Sequence, residues 1–380
     1  MAPWTPAFTA VAVALANFIP SEPTFENQTI TRVRGNLLDI AHASWELGTA
    51  AEALLELSWP ELSVFNSSAF PPSGHFTGLR FPEDVVNIAN ETVTKKPPNT
   101  LPLIANQGSA ADPASIGVAV LLANWTRTDS DNMVYDKAAG DQLEYLLKHT
   151  PRTRSGAISH RANEAQLWSD FVYMVPPFIA YYGALEGGDG GRALMQVAYD
   201  QCRLYRDGLR DDSGLWKHIM LGSFQDQTHW ATGNAWAAAG MLRVLSTLNH
   251  SSDARQFAGQ QANLTAWIDE ILETSWSYQG ANGTLHNVID DPSTFGDTAS
   301  TALMAATTYR MAIFKNSTTL IPNADRAFKL INDSITPEGW LRNSVNPITF
   351  HDILPDSEHS PEGQAFVLLL EAAKRAFNTF

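Results

Sequence analysis

The chain has 380 residues, of which 44% are hydrophobic and 17% charged, with 25 Lys and Arg against 40 Asp and Glu for a formal net charge of −15. That composition belongs to a globular protein with a large core, and no apolar run approaches the roughly 20 residues that cross a bilayer as a helix. The acidic balance excludes nucleic acid and anionic membrane as partners, because both repel such a surface; a small acidic ligand is admitted only by a local basic cluster.

At the start of the chain an apolar stretch from Phe8 to Ala16 ends in Ala14-Leu15-Ala16, the small-x-small form of a signal-peptidase site. No Lys or Arg precedes it, so a buried N-terminal helix is the competing reading. The sequons decide between them. Asn-x-Ser/Thr occurs at Asn27, Asn66, Asn90, Asn124, Asn249, Asn263, Asn282, Asn316 and Asn332, spread along the whole chain as in a secreted, extracellular glycoprotein. Residues 1–16 are therefore expected to be a signal peptide, and the nine asparagines are expected on the surface. Cys202 is the single cysteine, so no intramolecular disulfide supports the fold. A small buried side chain suits it better than a catalytic thiol, since no local motif supplies a base.

Strand signals are scarce, whereas apolar residues recur at helical spacing. Helices are expected near 31–57, 84–96, 114–126, 132–148, 166–183, 190–207, 229–248, 255–274, 297–314, 323–335 and 361–377. Loops rich in Gly, Pro, Asn and Asp separate them, such as PPSG at 71–74, GGDGG at 187–191 and DDPSTFG at 290–296. A helix-loop-helix-loop unit recurs about every 40–50 residues with no linker dividing the chain. Residues 17–380 thus read as one all-α domain, either a solenoid or six hairpins closed into an (α/α)6 barrel. The short repeat signatures of a solenoid are absent, and acidic, aromatic and Gly-containing motifs fall beside the loops, as around one central pocket.

The densest group of chemically capable residues lies in HTPRTRSGAISHRANEAQLWSDFVYMVPPFIAYYG, residues 149–183. It sets Arg152, Arg154, His160 and Arg161 before a helix whose first turns carry Trp168, Asp170, Tyr173 and Met174. An aspartate among Trp and Phe can be desolvated, which raises its pKa and keeps it protonated as a glycosidase acid requires. The same position suits an acid interacting with a helix N-terminus. Asp112, in QGSAADPASIGVAVLLA, fits an N-cap with Pro113 at the first helical position, and takes a chemical role only if the fold brings it to the pocket of Asp170. Farther along, Trp216, Lys217 and His218 precede His229, Trp230, Asn234 and Trp236. Tryptophans stack on the CH faces of sugars while Lys, His and Asn donate to hydroxyls and carboxylates. Metal and nucleotide motifs are missing: there is no HExxH, Cys/His cluster, GxGxxG after a strand or P-loop, and no GxSxG nucleophile elbow. No cofactor is expected.

The order and separation of W-x-D-x-x-Y-M-x-x-P-F and W-A-x-G-N-x-W, with GLWKHIM, GTLHNVIDD, GDTASTALMA and SPEGQAFVLLLEAA, resemble the unsaturated uronyl hydrolases of glycoside hydrolase families 88 and 105, especially the unsaturated rhamnogalacturonyl hydrolases of family 105. The resemblance runs from about Asp112 onward. It implies an (α/α)6 barrel, no metal, and removal of the terminal 4,5-unsaturated uronic acid from lyase-generated oligosaccharides. By position it implies that Asp170 is the general acid and base, protonating C4 of the vinyl ether and activating water for C5. Asp112 resembles the family's second acid, holding sugar hydroxyls and keeping Asp170 protonated by repulsion.

Family members commonly carry Arg where this chain has Thr232, which cannot form a charged fork. His160, Arg161, Lys217 or His218 must then take that contact, or the preferred substrate differs. Glucuronyl-capped lyase products, an ordinary inverting (α/α)6 exo-glycosidase and a non-catalytic glycan-binding protein are the competing functions.

Overall fold

Helices of two kinds alternate along the chain in the computed structural model, which describes residues 24–70, 81–127, 129 and 131–380. One kind buries a single stripe. In α12 (Ile321–Ser334) the buried residues are Ile321, Ala324, Ala327, Phe328 and Ile331, the i, i+3, i+4 spacing of a helix with one face to the core. Helices α1 (Asn27–Ile40), α3 (Glu83–Lys95), α5 (Val134–Glu144), α8 (Gly188–Leu209) and α10 (Ala258–Ser277) are also stripe-buried. The other kind is buried almost all round: in α9 (Ala231–His250) every residue from Ala231 to Leu248 is buried. It is joined by α2 (Ser44–Ser58), α4 (Gly117–Thr126), the broken pair α6 (Phe171–Met174) and α7 (Pro176–Glu186), α11 (Thr298–Lys315) and α13 (Pro361–Thr379).

The buried helices pack on one another in order, α2 on the turn leading into α4, α4 on α7, α7 on α9, α9 on α11 and α11 on α13, and α13 closes the ring on α2. The stripe-buried helices lie outside, α3 and α5 on α4, α8 on α7, α10 on α9, α12 on α11 and α1 on α13. This is an (α/α)6 barrel, as the sequence predicts. The proposed cleavage site at 14–16 lies outside the described residues. Among the described residues no helix is long and apolar enough to cross a membrane.

Two expected helices differ. The segment 31–57 breaks at residues 41–43, where the Glu46 carboxylate accepts from the backbone N–H of His42 and Ala43, each at 2.8 Å. The segment 166–183 begins as strand β1 (Leu167–Trp168), paired antiparallel with β2 (Ile219–Met220), so the helix starts only at Phe171. A second short pair joins β3 (Leu285–His286) and β4 (Gly296–Asp297). Cys202 is buried and free, and burial pushes its thiol up, which fits a packing role.

Inner helices approach so closely that side chains must be missing at some crossings. A Cβ on Gly240 of α9 would lie 2.2 Å from the Val172 carbonyl oxygen and 2.6 Å from the Tyr173 nitrogen. These are backbone atoms and cannot turn aside. Gly240→Ala is expected to lose about 2 kcal/mol net, since overpacking costs up to about 3 kcal/mol or more against about 1 kcal/mol gained in helix propensity. Thermal denaturation checks this, and an unchanged Tm would contradict the packing described.

Candidate active site

All six inner helices begin at the same end of the barrel. Trp45 stands in the first turn of α2, Asp112 opens the 3-10 turn Asp112–Ile116 before α4, Asp170 precedes α6, Trp230 and Trp236 flank the first turns of α9, Asp297 precedes α11 and Glu362 lies in the first turn of α13. All of these except Asp297 line one cavity of about 270 Å³, with Gln107, Ser109, His160, Arg161, Trp168 and Met174 completing much of its wall. Pro347, Ile348 and Phe350 contribute the rest. A larger groove of about 560 Å³ lies outside the ring between α1, α2, α3 and the segment 97–105 and is mostly apolar. The acids and tryptophans that could handle a sugar are in the smaller cavity.

Loops bring the two aspartates together. The backbone N–H of Ala110 donates to the His160 carbonyl at 2.8 Å, and residues Ser109 and Arg161 form an isolated antiparallel bridge. Gly108 permits this approach: its φ is +82°, and a Cβ there would lie 2.9 Å from Arg161 Nη2. On the other side Ser169 N–H donates to the His218 carbonyl at 2.9 Å, which fixes Asp170 at the end of β1. The Asp112 side chain does not cap its turn, so the N-cap role open to it from sequence is not the one it plays, whereas Asp170 stands at the start of α6 without a side-chain cap bond.

Their environments split their protonation. Burial, helped by the Asp112 charge and opposed by the N–H groups of Asp170 and Phe171, pushes the Asp170 carboxyl up to about 8. Oδ1 of Asp170 is buried without a hydrogen-bond partner among the described residues. Asp112 rises only to about 6, because the Ser109 hydroxyl and the Arg161 charge counter its burial. Near neutral pH one acid is protonated while its neighbour is mostly ionised. His160 Nε2 is 3.4 Å from Asp112 Oδ1, but burial and the charges of Arg161 and His218 hold the imidazole down at about 3. The contact is therefore polar, not ionic.

Of the other residues singled out from sequence, His160, Arg161, Trp168, Met174, Trp230 and Trp236 line the cavity. Trp168 stacks on His160 with ring centroids 4.7 Å apart. The remainder lie behind or away from it. His218 is fully buried, packed against Trp168, Trp230 and Phe350, and its Nδ1 is 3.0 Å from Asp226 Oδ2. Trp216 is fully buried, and Asn234 pins it in place, accepting from Trp216 N–H at 2.8 Å and donating to the carbonyls of Trp216 and Trp230. His229 is held on both nitrogens, by Asp290 and Asp211 at 2.8 Å each. Tyr173 faces the buried ion-pair group of Arg243, Glu52 and Glu56, and Lys217 reaches Gln227 at 3.4 Å.

Thr232 is buried and donates to Asp297 Oδ2 at 3.0 Å. It lies outside the cavity, where Arg161 is the one Lys or Arg among the described lining residues. Trp45, Gln107, Ser109, Phe350 and Glu362 were not selected from sequence. Among the described residues no His, Cys, Asp and Glu cluster is arranged to hold a metal ion.

A barrel of six helical hairpins with paired buried carboxyls in an aromatic cavity is the framework of a carbohydrate-active hydrolase. The sequence profile of Glycosyl Hydrolase Family 88 matches residues 82–356, well over half of the chain, and the protein belongs to that family and is a glycoside hydrolase.

Among solved structures, it is similar to a possible member of glycoside hydrolase family 105 from Salmonella enterica serovar Paratyphi A, with a TM-score of 0.74 and 18% identity over 98% of this chain and 100% of that one. It is similar also to a family 105 glycoside hydrolase of C. acetobutylicum, at TM-score 0.69 and 13% identity over 91% and 99% of the two chains. The unsaturated glucuronyl hydrolase of Bacillus sp. GL1, responsible for glycosaminoglycan degradation, aligns at TM-score 0.61 and 15% identity over 92% and 95%. At these identities the likeness is one of fold. No curated protein sequence matches the chain.

Proposed function

We propose that the protein removes the terminal 4,5-unsaturated uronic acid from oligosaccharides that a polysaccharide lyase has cut, with rhamnogalacturonan fragments as its substrates. The observation that carries this reading is the split pair: Asp170 held protonated beside a mostly ionised Asp112. A protonated acid can deliver a proton to C4 of the enol ether, leaving oxocarbenium character at C5. The Asp170 carboxylate then takes a proton from water as its oxygen bonds to C5, which restores the acid. The C5 hemiketal opens by breaking its bond to the ring oxygen. C1, now a hemiacetal carbon, becomes an aldehyde as the second sugar departs. No displacement at the anomeric carbon occurs, so the separation rule for two-carboxylate glycosidases does not govern this site.

Arg161, with the helix starts that line the cavity, provides the positive field an anionic sugar needs in a chain of net charge −15. Trp168 and Trp230 line the cavity, where indole rings can pack against a sugar ring. Ile348 lines the cavity and is 66% exposed, an apolar contact that suits a leaving sugar with a methyl group, as rhamnose has.

The test is loss of the ultraviolet absorbance of the conjugated double bond when the protein meets lyase-digested rhamnogalacturonan. Loss confined to glucuronyl-capped products would change the substrate, and no loss with any unsaturated uronide would sink the reaction. We infer also that the protein is secreted and glycosylated. None of its nine sequon asparagines is buried, and Asn27, Asn90, Asn263, Asn282, Asn316 and Asn332 are exposed. A mobility shift on endoglycosidase treatment of protein from the culture medium tests that.

A further inference from the structure

We propose that Glu362 is a further substrate-binding residue of this cavity, donating a hydrogen bond through Oε2 to the carboxylate of the bound sugar acid. The proposal rests on the reading of function given above. Glu362 lines the cavity with Asp112 and Asp170 and is 3% exposed. Its Oε1 accepts from the Trp45 indole N–H at 2.6 Å, while Oε2 is buried with no partner among the described residues.

The local fold does not require an acid here. Ser360 caps α13, its Oγ accepting from Gly363 N–H at 3.0 Å, and Pro361 has no N–H to satisfy. The groups facing Glu362 are acidic: Glu46 on α2, Asp170 before α6 and Asp297 before α11. Burial first, then these charges, push its carboxyl up to about 8 against the pull of the Trp45 bond. At neutral pH it is a carboxylic acid with one oxygen already accepting. Its O–H is then a buried donor with nothing to donate to, an unfavourable state that an incoming acceptor relieves.

An anionic acceptor fits best, because an O–H···O⁻ bond is short and strong. The cavity also needs such a contact. Thr232 is turned onto Asp297, which leaves Arg161 as the cation among the described lining residues. A neutral acid can hold a carboxylate where an ionised one would repel it.

The experiment measures binding of an unsaturated uronyl disaccharide to Asp170→Asn, which leaves the sugar unturned and removes the ionisation of Asp170. Kd is followed from about pH 7 to about pH 9.5 and is expected to rise about tenfold per pH unit once Glu362 ionises. Asp170→Asn also removes one repelling neighbour, so the rise begins somewhat lower than in the parent. In Asp170→Asn/Glu362→Gln the amide still accepts from Trp45 and still donates, and Kd should stay within about twofold over the same range. A purely structural Glu362 would leave the two profiles alike. The same rise in both variants, or no rise in either, overturns the proposal. Turnover of this disaccharide by the unmodified protein is read separately: its absence sinks the proposed reaction, whereas turnover with matching pH profiles sinks only the role of Glu362.

Discussion

Asp170→Asn is expected to lower kcat about a thousandfold, within the range that a positioned general acid contributes, while leaving a folded protein. The amide is isosteric but has no proton to give to carbon and no carboxylate to activate water. The fold loses little, because no side-chain cap depends on this residue and Oδ1 has no partner to abandon. Stability should even improve in a pH-dependent way. The folded-state pKa of about 8 stands above the ordinary 3.8, so between those values the folded protein binds a proton that the unfolded chain has released. Asp170 therefore makes the protein less stable as pH rises through that window. Asn removes the dependence, and its Tm advantage should be larger at about pH 8 than at about pH 5. Retained turnover would remove Asp170 as the acid, and an advantage equal at both pH values would mean that its carboxyl is not held protonated.

The barrel was legible because inner and outer helices have different patterns: stripe-buried α12 keeps the 3.6-residue period, while α9 is apolar or small nearly all round. The break between α1 and α2 was not. Ala43 stands where Ser, Thr, Asp or Asn usually signals a helix start, and the compensating acceptor, Glu46, acts from inside the helix. Reading one helix there hid the fact that Trp45 opens an inner helix and faces the site. The β1 pairing was hidden for another reason: Trp168 fits a helical period, and only the partner strand 51 residues away gives it extended backbone.

Asp170 and Asp112 stood out as acids beside aromatics or a helix start, and only the family resemblance implied the charge coupling between them, since their separation in sequence gives no sign of it. The tryptophan-rich segment was half legible. Trp230 and Trp236 line the cavity, whereas Asn234 and Trp216 form the joint that holds the two motifs together. Sequence alone cannot divide a motif into the part that lines a cavity and the part that holds that lining in place. Glu362 was concealed by an ordinary helix start, Ser-Pro-Glu, in which a first-turn acid is commonplace. Its burial among Glu46, Asp170 and Asp297 comes from three other elements.

With Glu362→Gln as the background, so that the carboxyl pushed up to about 8 at that position no longer titrates, kcat/KM should follow a bell whose limbs lie at about 6 and about 8, where Asp112 must be ionised and Asp170 protonated. Asp112→Asn should remove the acid limb and lower kcat/KM by about ten- to a hundredfold, the value of one hydrogen bond to a charged group. Its second effect is more diagnostic. The Asp112 charge helps hold the Asp170 proton, so without it Asp170 ionises more readily and the alkaline limb moves to lower pH. A limb that stays in place would assign the raised pKa of Asp170 to burial alone. His160 offers the control, since its imidazole, held down at about 3, is already neutral throughout the bell. His160→Gln should therefore change the height of the profile but not its acid limb, and a limb lost in that variant would transfer the ionisation from Asp112 to His160.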